Sequence, residues 1–183
     1  MELPWNMVVV TGVPGVGKTT LCRSVSKDLK YNYINYGDLM LEIAESRDLA
    51  STDLQMFSLD FEIQHEIWKS AALKIKDMKR VIVDLHGVDQ SKIGYIISLP
   101  VEIIKPDIIL VIESSKDKIF RQRNEDAKKR INDTIESLTE HMDVLRNMMA
   151  SCSAILGCNF AILKNDNFEE CLIQMKNILS TIN

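Results

Sequence analysis

No apolar run in this chain of 183 residues is long enough to cross a bilayer; the longest are Met7–Val10 and Ile108–Ile112. The start, Met1-Glu2-Leu3-Pro4-Trp5-Asn6, has neither a basic leader nor a cleavable apolar segment. These absences read as a soluble, cytoplasmic protein with no membrane partner. Basic residues are in deficit, 22 Lys and Arg against 26 Asp and Glu, for a net charge of −4. A global nucleic-acid footprint is therefore excluded, although local basic patches are not. The four cysteines, Cys22, Cys152, Cys158 and Cys171, include no C-x-x-C pair and no Cys/His spacing of a zinc site. That excludes a disulfide scaffold and leaves thiols in a reducing interior. No stretch rich in Gly, Pro or Ser divides the chain, and no repeat recurs, so residues 1–183 read as one domain. What remains is an ordinary globular composition, 46% hydrophobic and 26% charged, which rules out a largely disordered chain.

Short apolar runs alternate with longer segments of helical spacing. Met7–Thr11, Val81–Leu85, Ile108–Ile112 and Phe160–Leu163 predict strands, with Tyr33–Tyr36 a shorter candidate. Thr19–Leu29, a helix capped by Asp38, Phe61–Met78, Lys116–Lys129, the stripe Leu138, Met142, Leu145, Met149, Cys152, Leu156, and Phe168–Ile182 predict helices. Strands that are apolar throughout are buried on both faces, as in a parallel sheet. The expected fold class is α/β, with a central parallel sheet flanked by helices and a ligand site at the carboxyl ends of the strands.

The sharpest motif is Gly12-Val13-Pro14-Gly15-Val16-Gly17-Lys18-Thr19, a full match to G-x-x-x-x-G-K-[ST] between an apolar strand and a helix. Glycines let the backbone take positive φ and approach a phosphate. The loop amides then form a nest for phosphate oxygens, and the following helix adds its positive end. Lys18 would reach the β- and γ-phosphates and Thr19 would hold Mg²⁺. The loop serves kinases, GTPases, ATPases and motors alike, so it establishes nucleotide binding and not the reaction.

Arg80-Val81-Ile82-Val83-Asp84 ends an apolar strand on a carboxylate, the type of group that holds Mg²⁺ or its water shell beside such a loop. Glu113 is the rival acid. His86 follows Asp84 closely enough to lie near the phosphates, whereas His65 and His141 read as structural or exposed. Lys116, Lys118, Arg121, Arg123, Lys128, Lys129 and Arg130 form a basic run interrupted by Asp117, Glu125 and Asp126. It reads either as a solvated face or as a lid that aims cations at a transferring phosphoryl group. Lys164-Asn165-Asp166 only superficially echoes the guanine-reading N-K-x-D, since its order is wrong. One P-loop, one lid candidate and no appended module point to a small nucleotide kinase.

The chain resembles the archaeal-type adenylate kinase family along nearly its whole length. The resemblance rests on Val10–Thr20, Ile34-Asn35-Tyr36-Gly37-Asp38-Leu39-Met40, Val83-Asp84-Leu85-His86, Gly94-Tyr95 through Leu99-Pro100, Pro106-Asp107-Ile108-Ile109, and the helix around Ala150–Gly157. It implies a three-layer P-loop NTPase fold, ATP and Mg²⁺ as cofactors, AMP as acceptor, and a homotrimer. It implies a monophosphate-binding region over about 37–79, with Gly37, Asp38 and Met40 at its start, and a lid over about 115–133. Gly12, Val13, Pro14, Gly15, Val16, Gly17, Lys18, Thr19 and Thr20 carry over as the ATP loop, Thr19 and Asp84 as the metal side. Lys18, Arg121 and Arg130 carry over as catalytic cations, and Lys128 stands where the pattern usually has arginine. Four departures fall elsewhere. Phe57 and Gln90 replace basic residues, Asn124 replaces a lid arginine, and Ile97-Ser98 replace a proline and glycine. Two lost phosphate contacts at ~1.5–3 kcal/mol each would cripple an acceptor site unless Arg47, Lys69, Lys74 or Lys92 compensate. A second reading stays open on those departures: a diverged ATP-binding switch or weak ATPase with a protein or RNA partner.

Overall fold

The computed structural model describes residues 4–91, 94–125 and 134–180, without the side chains of 124 and 125. The elements run β1 (Met7–Thr11), α1 (Lys18–Leu29), β2 (Asn32–Asn35), α2 (Tyr36–Ser46), α3 (Asp53–Met56), α4 (Phe61–Ile75), β3 (Val81–Asp84), β4 (Val88–Ser91), β5 (Gly94–Ile97), β6 (Ile108–Glu113), α5 (Lys116–Glu125), α6 (Ile135–Leu156), β7 (Asn159–Lys164) and α7 (Phe168–Ser180).

Five strands form one parallel sheet in the order β2-β3-β1-β6-β7. Every residue of β1, β3 and β6 is buried, because these three inner strands have neighbours on both edges and helices over the sheet. Their uninterrupted Val and Ile content follows from that double burial. Helix α1 packs on α7, and α6 lies against β6 and β7. The register places Val10 beside Asp84 and Asn35 beside Asp84, so three strands deliver their carboxyl ends to one rim.

Several boundaries differ from those expected. β2 is Asn32–Asn35, and Tyr36 already begins α2. The cap of α2 is Asn35, whose side chain accepts from the Asp38 N–H at 3.1 Å; Asp38 lies inside the first turn. Helix α4 ends at Ile75, short of Met78. Helix α6 opens on Thr134, which caps the Ser137 N–H, and closes on Gly157 at φ +66°. The short α3 and the antiparallel hairpin β4–β5 had no counterpart among the expected elements.

Candidate active site

The loop from Gly12 to Gly17 joins β1 to α1 as a tight cradle. Gly15 and Gly17 both have φ +87°, a region that L side chains rarely adopt. A Cβ at Gly12 would stand 2.6 Å from the Ile112 carbonyl, and one at Gly17 would stand 2.6 Å from the Asn165 amide nitrogen. These glycines are required by space as well as by dihedral angle.

Lys18 is buried and donates from Nζ to the Gly12 carbonyl at 2.6 Å, so its ammonium arches back over the loop. Burial lowers its pKa, and the nearby Asp84 opposes that shift. Thr19 begins the exposed side of α1 and donates from Oγ1 to Asp84 Oδ2 at 2.8 Å. The same carboxylate oxygen accepts the Tyr33 hydroxyl at 3.1 Å from β2. Burial, together with Asp84, pushes the Tyr33 phenol up to about 12, so it remains a donor at neutral pH. Thr20 is exposed.

The rival acid is differently employed. Glu113, at the end of β6, is held by Arg146 of α6 through a two-pronged contact, Nε to Oε1 at 2.8 Å and Nη2 to Oε2 at 2.9 Å. Asp84 is therefore the acid paired with the loop threonine. A hydroxyl and a carboxylate in hydrogen-bond contact, the latter buried, are the donor set that takes a small divalent cation whose other ligands are waters and phosphate oxygens. Among the described residues, no group of three or more His, Cys, Asp or Glu forms a self-sufficient metal cage. His86 lies at the rim with Nδ1 2.7 Å from Asp89 Oδ1, and its carbonyl accepts the Gly12 N–H at 3.3 Å.

The basic helix divides by phase. Arg121 is exposed and donates to the Asp117 carbonyl one turn back, at 3.3 Å. Arg123 is buried and donates from Nε to the Pro14 carbonyl at 2.9 Å. The two are about 200° apart around a helix, so only one can face the loop. Lys118 meanwhile donates to the Asn165 carbonyl at 2.6 Å. Lys128, Lys129 and Arg130 lie outside the described residues, as do Lys92 and the side chain of Asn124.

Around the start of α2, Gly37 and Asp38 are exposed and Met40 is half-buried; the preceding Asn35 is the register partner of Asp84. The Tyr36 hydroxyl donates to the Trp68 carbonyl at 2.6 Å, and the Trp68 indole N–H donates to the Ser98 carbonyl at 3.2 Å. Trp68 thereby ties the start of α2 to the segment after β5. Phe57 is exposed. Gln90 donates to Ser137 Oγ at 3.0 Å, toward α6. Arg47 is engaged with Ser70 and Lys74 with Glu42, both between α2 and α4, while Lys69 is exposed.

Four side chains of this region escaped sequence reasoning in these roles: Tyr33, Arg123, Arg146 and Asn165. Arg123 was visible only as one member of a basic run. Asn165 carried a usable signal, a polar residue at the carboxyl end of an apolar strand.

Comparison with known proteins gives a consistent result. A family model described as an AAA domain matches residues 11–139. An "adenylate kinase homolog" of Methanothermobacter thermautotrophicus is 46% identical over 172 residues, covering 94% of this chain and 91% of that protein. An adenylate kinase of the same organism is 35% identical, covering 95% and 99%. An adenylate kinase of Thermoplasma acidophilum is 36% identical, covering 86% and 88%. Among solved structures, a shikimate kinase from Bacteroides thetaiotaomicron superposes with a TM-score of 0.60 at 15% identity, covering 96% of this chain and 98% of that one. That last likeness speaks for the fold alone.

Proposed function

Because the chain belongs to the archaeal adenylate kinase family, we propose that it is a nucleoside monophosphate kinase that moves the γ-phosphoryl group of ATP onto AMP and releases two ADP. The observation that carries this reading is the meeting of Lys18, Thr19 and Asp84 at the rim where α2 also begins. Donor and acceptor phosphates have adjacent seats at that rim.

Phosphoryl transfer asks for positioning and for cations on the equatorial oxygens, with little covalent chemistry by the protein. Lys18 would exchange its contact with the Gly12 carbonyl for the β- and γ-phosphate oxygens. Thr19 and Asp84 would hold Mg²⁺, which neutralises phosphate charge when bound. The acceptor phosphate is itself the nucleophile, so no strong base is required. Arg123, already at the Pro14 carbonyl, would bring charge to the loop from the start, and Arg121 and Arg130 would add theirs only as residues 115–133 close over the phosphates and exclude water. Gly37, Asp38 and Met40, within the region 37–79, would seat the acceptor. We assign the chain to a homotrimer in the cytoplasm on the family resemblance; among the described residues no helix is long and apolar enough to cross a membrane.

The test is product analysis with ATP and Mg²⁺, with AMP, with other monophosphates, and with no acceptor, using Lys18→Ala as the blank. ADP formation that AMP raises well above the no-acceptor rate, without free phosphate, is expected. Slow phosphate release that no monophosphate accelerates would overturn the kinase reading and favour an ATP-driven switch.

A further inference from the structure

Asn165 stands just beyond the carboxyl end of β7. It is 2% exposed. Its backbone is fixed from two sides: its N–H donates to the Glu113 carbonyl at 2.6 Å, and its carbonyl accepts Lys118 Nζ at 2.6 Å and Ser114 Oγ at 3.0 Å. Its side chain reaches the loop and donates from Nδ2 to the Val16 carbonyl at 2.8 Å. The other amide atom, Oδ1, is buried and has no partner. An apolar side chain of the same size would avoid that desolvated oxygen, so the useful part of the amide is its donor.

A trans peptide is planar, with its C=O and N–H pointing in opposite directions. The Val16–Gly17 peptide is trans, as all are among the described residues. When Asn165 fixes the Val16 carbonyl toward β7, the Gly17 N–H must point away from β7. Neither the Gly15 nor the Gly17 N–H has a hydrogen-bond partner within the described protein. Gly17 has no room for a side chain for the same reason: the Asn165 amide occupies that space.

We propose that Asn165 is a positioning residue for nucleotide binding: by clamping the Val16 carbonyl it aims the Gly17 amide into the phosphate cradle. It touches no phosphate itself. The role rests on the nucleotide-binding reading above and not on AMP being the acceptor.

The test uses the full chain with three probes: Mg·ATP, inorganic tripolyphosphate and AMP. Asn165→Leu keeps the branched heavy-atom outline, in a somewhat larger volume, and deletes the donor; Asn165→Ala serves where Leu does not fold. Leu179→Ala, in the core at the far end of α7, serves as a control that destabilises without touching the loop. The expected result is a loss of about tenfold in affinity for both ATP and tripolyphosphate, the size of one hydrogen bond. AMP affinity should be unchanged, with KM for ATP raised and KM for AMP not. The amide resonance of Gly17 should move in the apo Asn165 variants and stay in place in Leu179→Ala. The idea is overturned if tripolyphosphate binds the variants as it binds wild type. It is equally overturned if tripolyphosphate and AMP weaken together in step with Tm, or if the Gly17 resonance does not move. Wild-type protein that binds tripolyphosphate but transfers nothing to AMP would sink the kinase reading and leave this one standing.

Discussion

At the scale of single residues, Asp84 joins the most functions in the least space. It accepts two hydroxyls on one oxygen, and it offsets the burial of Lys18. Asp84→Asn keeps the shape and one acceptor oxygen but removes the charge. We expect kcat to fall by about a hundredfold, which corresponds to ~2.7 kcal/mol, with a weaker dependence on Mg²⁺. Binding of metal-free ATP should change little, and calorimetry with and without Mg²⁺ separates the two effects. Much of this was legible in the chain itself. The glycine loop has fixed spacing, and beside such a loop a carboxylate at the end of an apolar strand is the group a metal needs. The choice between Arg121 and Arg123 was not legible, because it depends on the phase of α5 relative to the loop. Nor was the pairing of Glu113 with Arg146, which joins residues 33 positions apart on β6 and α6.

At the scale of elements, the inner strands and long helices follow from hydrophobic period alone, and their ends shift by one to three residues where capping decides. Asn35 takes the cap of α2 because its side chain reaches the Asp38 N–H from an extended backbone. The β4–β5 hairpin left little trace, since Val88-Asp89-Gln90-Ser91 and Gly94-Tyr95-Ile96-Ile97 are short and only partly buried. The hairpin is tied to α6 by His141, which is buried and structural, the first of the two roles expected of it. Its ring Nε2 donates to the Val88 carbonyl at 2.9 Å, and the ring lies tilted against Tyr95. Burial lowers the pKa of His141; the Val88 bond and Asp89 oppose the shift, while Arg123 and His86 add to it. An unfolded histidine titrates near 6.5, so below that pH the unfolded chain takes up a proton that the folded one refuses. Stability should therefore fall as pH drops through about 6.5 and continue to fall until the folded group titrates. Thermal melts between pH 8 and 5 check this: His141→Gln should flatten the decline.

At the scale of the whole molecule, the strand order places β1 at the centre, with β3 and β2 on one side and β6 and β7 on the other. The nucleotide loop thus lies between β2, α2 and α4 on one side and β6, α5 and β7 on the other. Helix α5 is joined to the loop twice, directly by Arg123 at the Pro14 carbonyl and indirectly by Lys118 through Asn165. Phe57 follows α3 and Gln90 lies in β4, the two places where the family resemblance implies basic residues. Of the residues that could replace the lost cations, Arg47 is engaged with Ser70 and Lys74 with Glu42, while Lys69 is exposed. Parallel topology was readable from the double-sided burial of the strands. Their order was not, because no local pattern encodes which strands become neighbours.

The bridge through Trp68 makes the protein its own optical gauge. The chain has two tryptophans. Trp5 precedes β1, with its indole bound to the Ile178 carbonyl, at the end of the sheet opposite the rim. Trp68 spans the start of α2 and the segment after β5, the region proposed to seat the acceptor. In Trp5→Phe, all indole emission comes from that bridge. AMP should shift its wavelength or intensity with a saturable midpoint, ATP alone should do so far less, and a silent Trp68 under saturating AMP would place the acceptor elsewhere.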